Sequence, residues 1–186
     1  MKGEILTIHI GECGTKIGLP YWQILHNELS ASRANHSSSS PKQLPSLECY
    51  NSVSFFEEVE CSSSSSSPVP LNMFPESLPV QEASGSGKQV AHSPRALFVD
   101  TDPYTQAYIQ NKYPPLCAIP PRNVHIDKHV ITAGDYHIAL ENLNESSDKL
   151  IDLIRSKLEG WDKFQGVQFI CSVNGGTGAA TSAFLS

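Results

Sequence analysis

Five consecutive residues near the end of the sequence have the types and order needed to bind phosphate. They are Asn174, Gly175, Gly176, Thr177 and Gly178. Glycines let successive backbone N–H groups turn toward one concavity, and a helix that starts there adds partial positive charge. The Thr177 hydroxyl can donate a hydrogen bond to a phosphate oxygen. The same loop would also suit a tight strand-to-helix turn without a ligand, so both interpretations stay open for this loop alone.

A second glycine turn follows the first apolar run of the chain. It consists of Gly11, Glu12, Cys13 and Gly14. Glycine turns of this kind are common in α/β folds that bind nothing there. The turn therefore predicts a phosphate contact only in combination with the glycine loop at 174–178.

Two acids, Asp100 and Asp102, follow another apolar run. Carboxylates one residue apart beside a phosphate pocket suit direct or water-mediated binding of Mg²⁺. Aspartate followed by proline also suits an ordinary turn, and Pro103 supports that alternative. We predict a magnesium site here because three such loops are expected at one edge of the sheet.

Other nucleotide-binding and catalytic patterns fit poorly. A Walker-type loop needs Gly-Lys-Ser or Gly-Lys-Thr, and the pair Gly87-Lys88 is followed by glutamine. The chain lacks G-x-G-x-x-G, which disfavours a dehydrogenase half with Asp100 as its ribose acid. The histidines are scattered, and Cys13 and Cys171 are interpreted as small buried hydrophobes. No residue is predicted to be catalytic.

Composition narrows the class of protein. The 186 residues carry a net charge of −6 and no cluster of lysine and arginine, which argues against a nucleic-acid partner. No apolar run approaches the ~20 residues of a membrane span, and no signal peptide is expected. Five cysteines without CxxC spacing indicate a reduced intracellular protein that has neither a zinc site nor a disulfide framework.

Apolar runs and helical patterns alternate along the chain. Strands are predicted at 4–10, 96–99, 124–131 and 167–173, and helices after Gly14, up to about Gln110, from Ser146 or Ser147 to Gly160, and from Ala179. Pro20 is expected to kink or delay the first helix. The alternation predicts an α/β fold, a Rossmann-like parallel sheet flanked by helices, with ligands at the carboxyl ends of the strands.

The segment 31–93 differs in character from its surroundings. Serine runs at 37–40 and 62–67, with prolines and Gly-Ser-Gly nearby, cannot bury enough apolar surface to offset the entropy of ordering. We predict a long disordered insertion in which only 53–58 docks on the fold. The insertion would separate a strand–loop–helix unit at 1–30 from its continuation at 94–186.

Three segments in order resemble the tubulin family. Residues 8–22 resemble the opening of tubulins, 95–103 their second nucleotide loop, and 164–178 their signature glycine loop. The resemblance covers roughly 1–30 and 95–186. It implies the N-terminal half of a tubulin GTPase domain, incomplete in this chain because the long central helix and all that follows it are absent.

The resemblance implies a GTP or GDP site with Mg²⁺. Asp102, supported by Asp100, would take the magnesium-side role. The residues near the nucleotide would be Gly11, Glu12, Cys13, Ser172, Asn174, Gly175, Gly176, Thr177 and Gly178. It also implies head-to-tail assembly with other tubulin subunits in the cytoplasmic cytoskeleton. GTPase activity is implied by the family alone, because a loop acid from the neighbouring subunit completes the site.

Three departures from the family pattern are informative. Glu12 stands where glutamine is usual, and a carboxylate near phosphates is repulsive unless it is protonated or bridged by Mg²⁺. The third loop keeps only Gly-Asp-Tyr at 134–136, and the glycine loop ends in Ala179-Ala180. We predict a divergent subunit of the delta, epsilon or zeta kind, associated with centrioles, basal bodies or cilia. The alternative is a degenerate relative that no longer binds nucleotide productively and serves as an interaction module.

Overall fold

The computed structural model describes residues 3–36, 54–60, 90–112, 119–127 and 132–186. Its elements in chain order are β1 (Glu4–Ile10), α1 (Gly11–His36), β2 (Phe56–Glu60), β3 (Val90–Pro94), β4 (Ala96–Asp100), α2 (Tyr104–Lys112), a 3₁₀ turn (Pro121–Asn123), β5 (Val124–Ile126), α3 (Tyr136–Leu158), β6 (Phe164–Cys171) and α4 (Thr177–Leu185). None of the helices in these described ranges is both long and apolar enough to cross a membrane.

Four strands form a parallel sheet in the order β5-β4-β1-β6. Ile10, the last residue of β1, pairs in register with Val99 of β4 and Cys171 of β6. The chain therefore leaves all three strands at the same edge, where the glycine and acid loops begin. The predicted Rossmann-like parallel sheet flanked by helices is confirmed.

Different helices cover the two faces of the sheet. Alternation along β1 directs Leu6, Ile8 and Ile10 to one face and Thr7 and His9 to the other. The first face packs on α3 and α4 in a core of Leu6, Ile8, Ile10, Leu97, Val99, Ala139, Leu143, Leu150 and Ala180. The second face packs on α1, α2 and β2 in a core of Trp22, Phe56, Ala96, Phe98 and Ile109.

The predicted start of α3 at Ser146 or Ser147 is wrong. The helix begins at Tyr136, because the Asp135 carboxylate caps it by accepting hydrogen bonds from the backbone N–H groups of His137 and Ile138, at 2.7 and 3.3 Å. Ala139 and Leu143, one helical turn apart, already face the core. Polar residues between them obscured this pattern in the sequence.

The described parts of the predicted insertion contain regular structure. α1 starts at Gly11, retains Pro20 inside it and runs on to His36, while β2 and β3 pair as antiparallel strands. The predicted domain boundaries near 30 and 93 therefore fall inside α1 and β3. Phe56 is buried and meets the Trp22 ring edge to face at 5.4 Å, so the predicted docking of 53–58 is confirmed at Phe56. Residues 37–53 and 61–89 lie outside the described ranges.

Candidate functional site

The glycine turns after β1 and β6 touch at the carboxyl edge of the sheet. Gly11 has φ of +71°, and a Cβ placed on it would lie 3.4 Å from the backbone nitrogen of Gly178. A Cβ on Gly178 would lie 3.1 Å from the carbonyl oxygen of Ser172 and 3.6 Å from that of Ile10. Across the two loops these distances are ordinary van der Waals contacts, while the positive φ of Gly11 and the close approach of Gly178 to Ser172 in its own loop favour glycine at both positions. The two glycine turns thus lie against each other at one point of the edge.

The loop between β6 and α4 is held by its own side chains. The Ser172 hydroxyl donates to the carbonyl oxygen of Asn174 at 2.6 Å and accepts from the Asn174 backbone N–H at 3.3 Å. The Asn174 side-chain oxygen accepts from the Gly175 N–H at 3.0 Å. Gly175 has φ of +99°, and a Cβ there would meet nothing within 4 Å. The loop therefore keeps its shape and leaves open space above Gly175.

The N-terminus of α4 has no side-chain cap. Gly176 occupies the N-cap position, and no side chain accepts a hydrogen bond there. The first backbone N–H groups of a helix lack partners inside it and carry the positive end of the helix dipole. A negatively charged oxygen near the first turn of α4 would satisfy them. The predicted phosphate-binding loop thus leads into a helix start without a side-chain cap.

Three threonine hydroxyls connect three loops of the site. The Thr177 hydroxyl oxygen lies 3.2 Å from that of Thr101, in the β4–α2 loop, and 3.2 Å from that of Thr132, before α3. A hydroxyl has one proton and two acceptor positions. When both neighbours donate to Thr177, its own proton stays available for a phosphate oxygen. Thr101 and Thr132 were not predicted, because lone hydroxyls carry no spacing signal; only the place of Thr101 between two acids hinted at it.

The two predicted magnesium residues differ in environment. Asp100 is only 4% exposed, and its carboxylate accepts from the Thr105 hydroxyl at 2.5 Å and the Thr101 N–H at 2.8 Å. It therefore anchors its own loop. Asp102 is exposed and accepts from the Tyr104 N–H at 2.9 Å, where α2 begins.

A resident metal cage is absent from the described ranges, where no three His, Cys, Asp or Glu side chains come together. Mg²⁺ commonly takes one or two carboxylates and completes its shell with phosphate and water. The exposed carboxylate of Asp102 could contribute one ligand to such a shared ion. Asp100 fits it less well, because its oxygens are already used within the loop.

Glu12 and Cys13 both face solvent in the first turn of α1. The Glu12 carboxylate lies 2.5 Å from the Lys16 ammonium, one helical turn away. The hydrogen bond and the positive charge of Lys16 lower the pKa of Glu12, so this side chain is ionised and its charge is compensated. The prediction that Cys13 is a buried hydrophobe is wrong, since the helix start turns it outward; Cys171 is half-buried.

A small cavity of about 30 Å³ lies behind the threonine hydroxyls. Its polar lining comes from Asp100, Thr101, His125, Asp127, Thr132, Thr177 and Thr181. Burial lowers the pKa of His125, which favours its neutral form. The cavity can hold water but no nucleobase.

Comparison with known proteins identifies the family. The family model described as Tubulin/FtsZ family, GTPase domain, matches residues 4–186. The tubulin gamma chain of Candida albicans is 27% identical over 98% of this chain and 36% of its own length. The tubulin alpha chain of Colletotrichum orbiculare is 28% identical over the whole chain and 34% of its own length, and the tubulin beta chain of Aspergillus fumigatus 27% over 98% and 33%.

The chain thus spans about a third of the length of the curated relatives that it matches. The family match extends over nearly all of its residues, including every loop at the carboxyl edge of the parallel sheet. The chain belongs to the Tubulin/FtsZ family and carries GTPase-domain sequence of that family.

Proposed function

We propose that this chain is the phosphate-binding part of a GTP-binding, tubulin-like cytoskeletal subunit. The observation that carries the proposal is the contact between the Gly11 and Gly178 turns beside the uncapped N-terminus of α4. The two glycine turns and the uncapped start of α4 lie together at the sheet edge. This arrangement favours a ligand with several negatively charged oxygens. A guanine nucleotide meets that requirement and agrees with the family.

Each predicted residue has a proposed part in holding the nucleotide. The backbone N–H groups of Gly11, Gly176 and Gly178 and the hydroxyl of Thr177 would bind phosphate oxygens. The side chains of Ser172 and Asn174 would keep the glycine loop in shape, leaving Gly175 open to the ligand. Glu12 and Cys13 would lie beside the phosphates. When bound, Mg²⁺ would neutralise phosphate charge, with Asp102 facing it and Asp100 anchoring the loop.

Assembly with other tubulin subunits is part of the proposal. Tyr104 and Val173, which lie next to the loops, are 79% and 94% exposed, so a neighbouring subunit could cover them. We propose head-to-tail contact across this face, with hydrolysis dependent on an acid from the neighbour. The departures at Glu12 and in the third loop favour a divergent subunit of the centriolar, delta, epsilon or zeta kind.

A degenerate, non-binding relative is the second candidate function. The ionised Glu12 favours it, because a carboxylate beside the phosphates repels them wherever Lys16 fails to compensate its charge. Such a protein would serve as an interaction module. It would keep the fold and lose nucleotide affinity.

The test is equilibrium binding of GTP, GDP and ATP to the full-length protein, with and without Mg²⁺. Selective GTP binding that Thr177→Val weakens roughly 10- to 100-fold supports the proposal, since a hydrogen bond to a charged group contributes about 1.5–3 kcal/mol. Thr181→Val is the matched control, because Thr181 is a buried threonine one helical turn further along α4. Absence of binding by folded protein would favour the interaction module.

A further inference from the structure

A fully buried histidine, His9, lies directly beneath the first glycine turn. It is 0% exposed and sits on β1, two residues before Gly11. Its Nε2 accepts a hydrogen bond from the Trp22 indole N–H at 2.8 Å, and its Nδ1 lies 3.1 Å from the carbonyl oxygen of Gly14. An indole N–H can only donate, and a carbonyl oxygen can only accept. The ring is therefore neutral and carries its proton on Nδ1.

The start of α1 rests on this imidazole. A Cβ on Gly18 would lie 2.5 Å from Nδ1 of His9, and a Cβ on Gly14 would lie 3.2 Å from the His9 carbonyl carbon and 2.3 Å from the carbonyl oxygen of Ile170. Both helix positions are thus restricted to glycine by close approach to His9 and the sheet. The backbone of the sheet limits the approach of α1 at Gly14, and the His9 ring limits it at Gly18.

The opposite side of the imidazole contacts the neighbouring strand. Phe98, the register partner of His9 on β4, stacks on it with ring centroids 4.5 Å apart and planes 14° apart. Phe98 precedes Asp100 by two residues. One side chain therefore contacts both the helix that begins at the glycine turn and the strand that leads into the acidic loop.

The hydrogen bonds of His9 are directional, and packing alone does not require them. A buried imidazole costs free energy unless both nitrogens find partners, whereas an aliphatic side chain could fill the same space without that need. The structure uses both nitrogens to hold one carbonyl group and one indole at fixed positions. Since the Gly14 carbonyl belongs to the first turn of α1, fixing it also fixes the direction of the N–H groups that precede it.

We propose that His9 is a positioning residue for the guanine-nucleotide site. Its neutral imidazole holds the Gly14 carbonyl and so orients the backbone N–H groups of 11–13 toward the phosphates. That the ligand is a guanine nucleotide follows from the proposed function. That His9 orients the turn follows from its own hydrogen bonds and does not depend on the identity of the ligand.

The experiment compares His9→Leu and His9→Gln in the full-length protein. GTP affinity and the hydrogen-exchange rate of the peptide 11–18 are both measured. His9→Leu keeps bulk but removes both hydrogen bonds, so it should weaken GTP binding about tenfold and accelerate exchange in 11–18. His9→Gln keeps one donor and one acceptor, and it should restore both readouts to within about threefold of wild type.

The matched control is Phe56→Leu. It removes a ring contact with Trp22 but leaves both hydrogen bonds of His9 in place. It should alter stability without changing GTP affinity or local exchange. If His9→Leu does not fold, Trp22→Phe takes its place in the comparison, since it removes the indole donor and part of the ring but keeps an aromatic side chain.

Two outcomes would overturn the proposal. One is wild-type GTP affinity and exchange in His9→Leu. The other is failure of glutamine to rescue, with Phe56→Leu equally impaired, which would reduce His9 to packing. If the wild-type protein binds no guanine nucleotide, the proposed function fails by itself, and the exchange of 11–18 alone decides whether His9 orients the turn.

Discussion

The hydroxyl oxygens of Thr132 and Thr177 lie 3.2 Å apart, joining the loop before α3 to the first residue of α4. The contact is close on the backbone side as well, since a Cβ on Gly176 would lie 2.9 Å from the Thr132 side chain. The third loop is one of the three places where the sequence departs from the expected tubulin pattern. It nevertheless reaches the centre of the candidate site through one hydroxyl group.

We expect Thr132→Val to weaken GTP binding roughly three- to tenfold. The substitution removes one of the two hydroxyls that orient Thr177, and a neutral hydrogen bond contributes about 0.5–1.5 kcal/mol. Thr132→Ser keeps the hydroxyl and should retain wild-type affinity. Titration calorimetry on the full-length protein measures both. Loss of affinity in the serine variant, with wild-type affinity in the valine variant, would show that the methyl group of Thr132 matters and that its hydroxyl does not.

Glu12→Gln should strengthen GTP binding, by roughly threefold at low salt. It removes an ionised carboxylate beside the proposed phosphates. Lys16→Gln should do the opposite, because Glu12 then keeps its charge without the ammonium at 2.5 Å. Both effects should shrink at high salt, where exposed charges are screened. Identical affinities of the two variants at low salt would contradict this.

The sequence predicted the backbone of the site better than its side-chain contacts. β1 is followed by Gly11 and β4 ends at Asp100, so the strand ends and the loops could be predicted from residue types. Contacts between loops that are distant in the sequence could not be predicted in this way. Thr132 and Thr177 are far apart in the chain, and their hydroxyls meet only because Thr132 lies against the start of α4.

The error at α3 has a local cause. The sequence offered two serines as helix caps, and the apolar periodicity is strongest after them, from Leu150 onward. The actual cap, Asp135, was seen only as a remnant of the third loop. Exposed Tyr136 and Ile138 gave the first turn no amphipathic pattern, so its helical state could be recognised only from the packing of Ala139.

Asp135→Ala should destabilise the protein by about 1 kcal/mol, the usual effect of removing an N-cap side chain. Asp135→Asn should recover most of this, because an amide oxygen can accept the same hydrogen bonds from His137 and Ile138. Asp148→Ala is the control, since it changes an exposed residue in the middle of α3. Urea-induced unfolding followed by circular dichroism measures all three. A larger effect at Asp148 would place the functional start of the helix where the sequence suggested.

Protonation of His9 should make the folded protein less stable in mild acid. Burial lowers the pKa of His9 from 6.5 to about 4, with the hydrogen bond to Gly14 opposing in part. Tyr21, the nearest ionisable ring, has a pKa raised by burial and stays neutral in this range. The unfolded state therefore takes up the proton first. The stability that His9 contributes is complete above about pH 6.5 and is lost as the pH falls toward 4.

The size of this loss can be measured by difference. Linkage over that interval predicts that the wild type loses roughly 2 kcal/mol more than His9→Gln between pH 7 and pH 5. His26 and His125, whose pKa values are also lowered by burial, contribute in the same direction but are shared by both proteins. Parallel pH profiles of unfolding free energy in the two proteins would contradict a neutral His9. Convergence of the two profiles as the pH falls would confirm that the His9 ring must remain unprotonated. Only the neutral ring can donate from Nδ1 to Gly14 while its Nε2 accepts from Trp22.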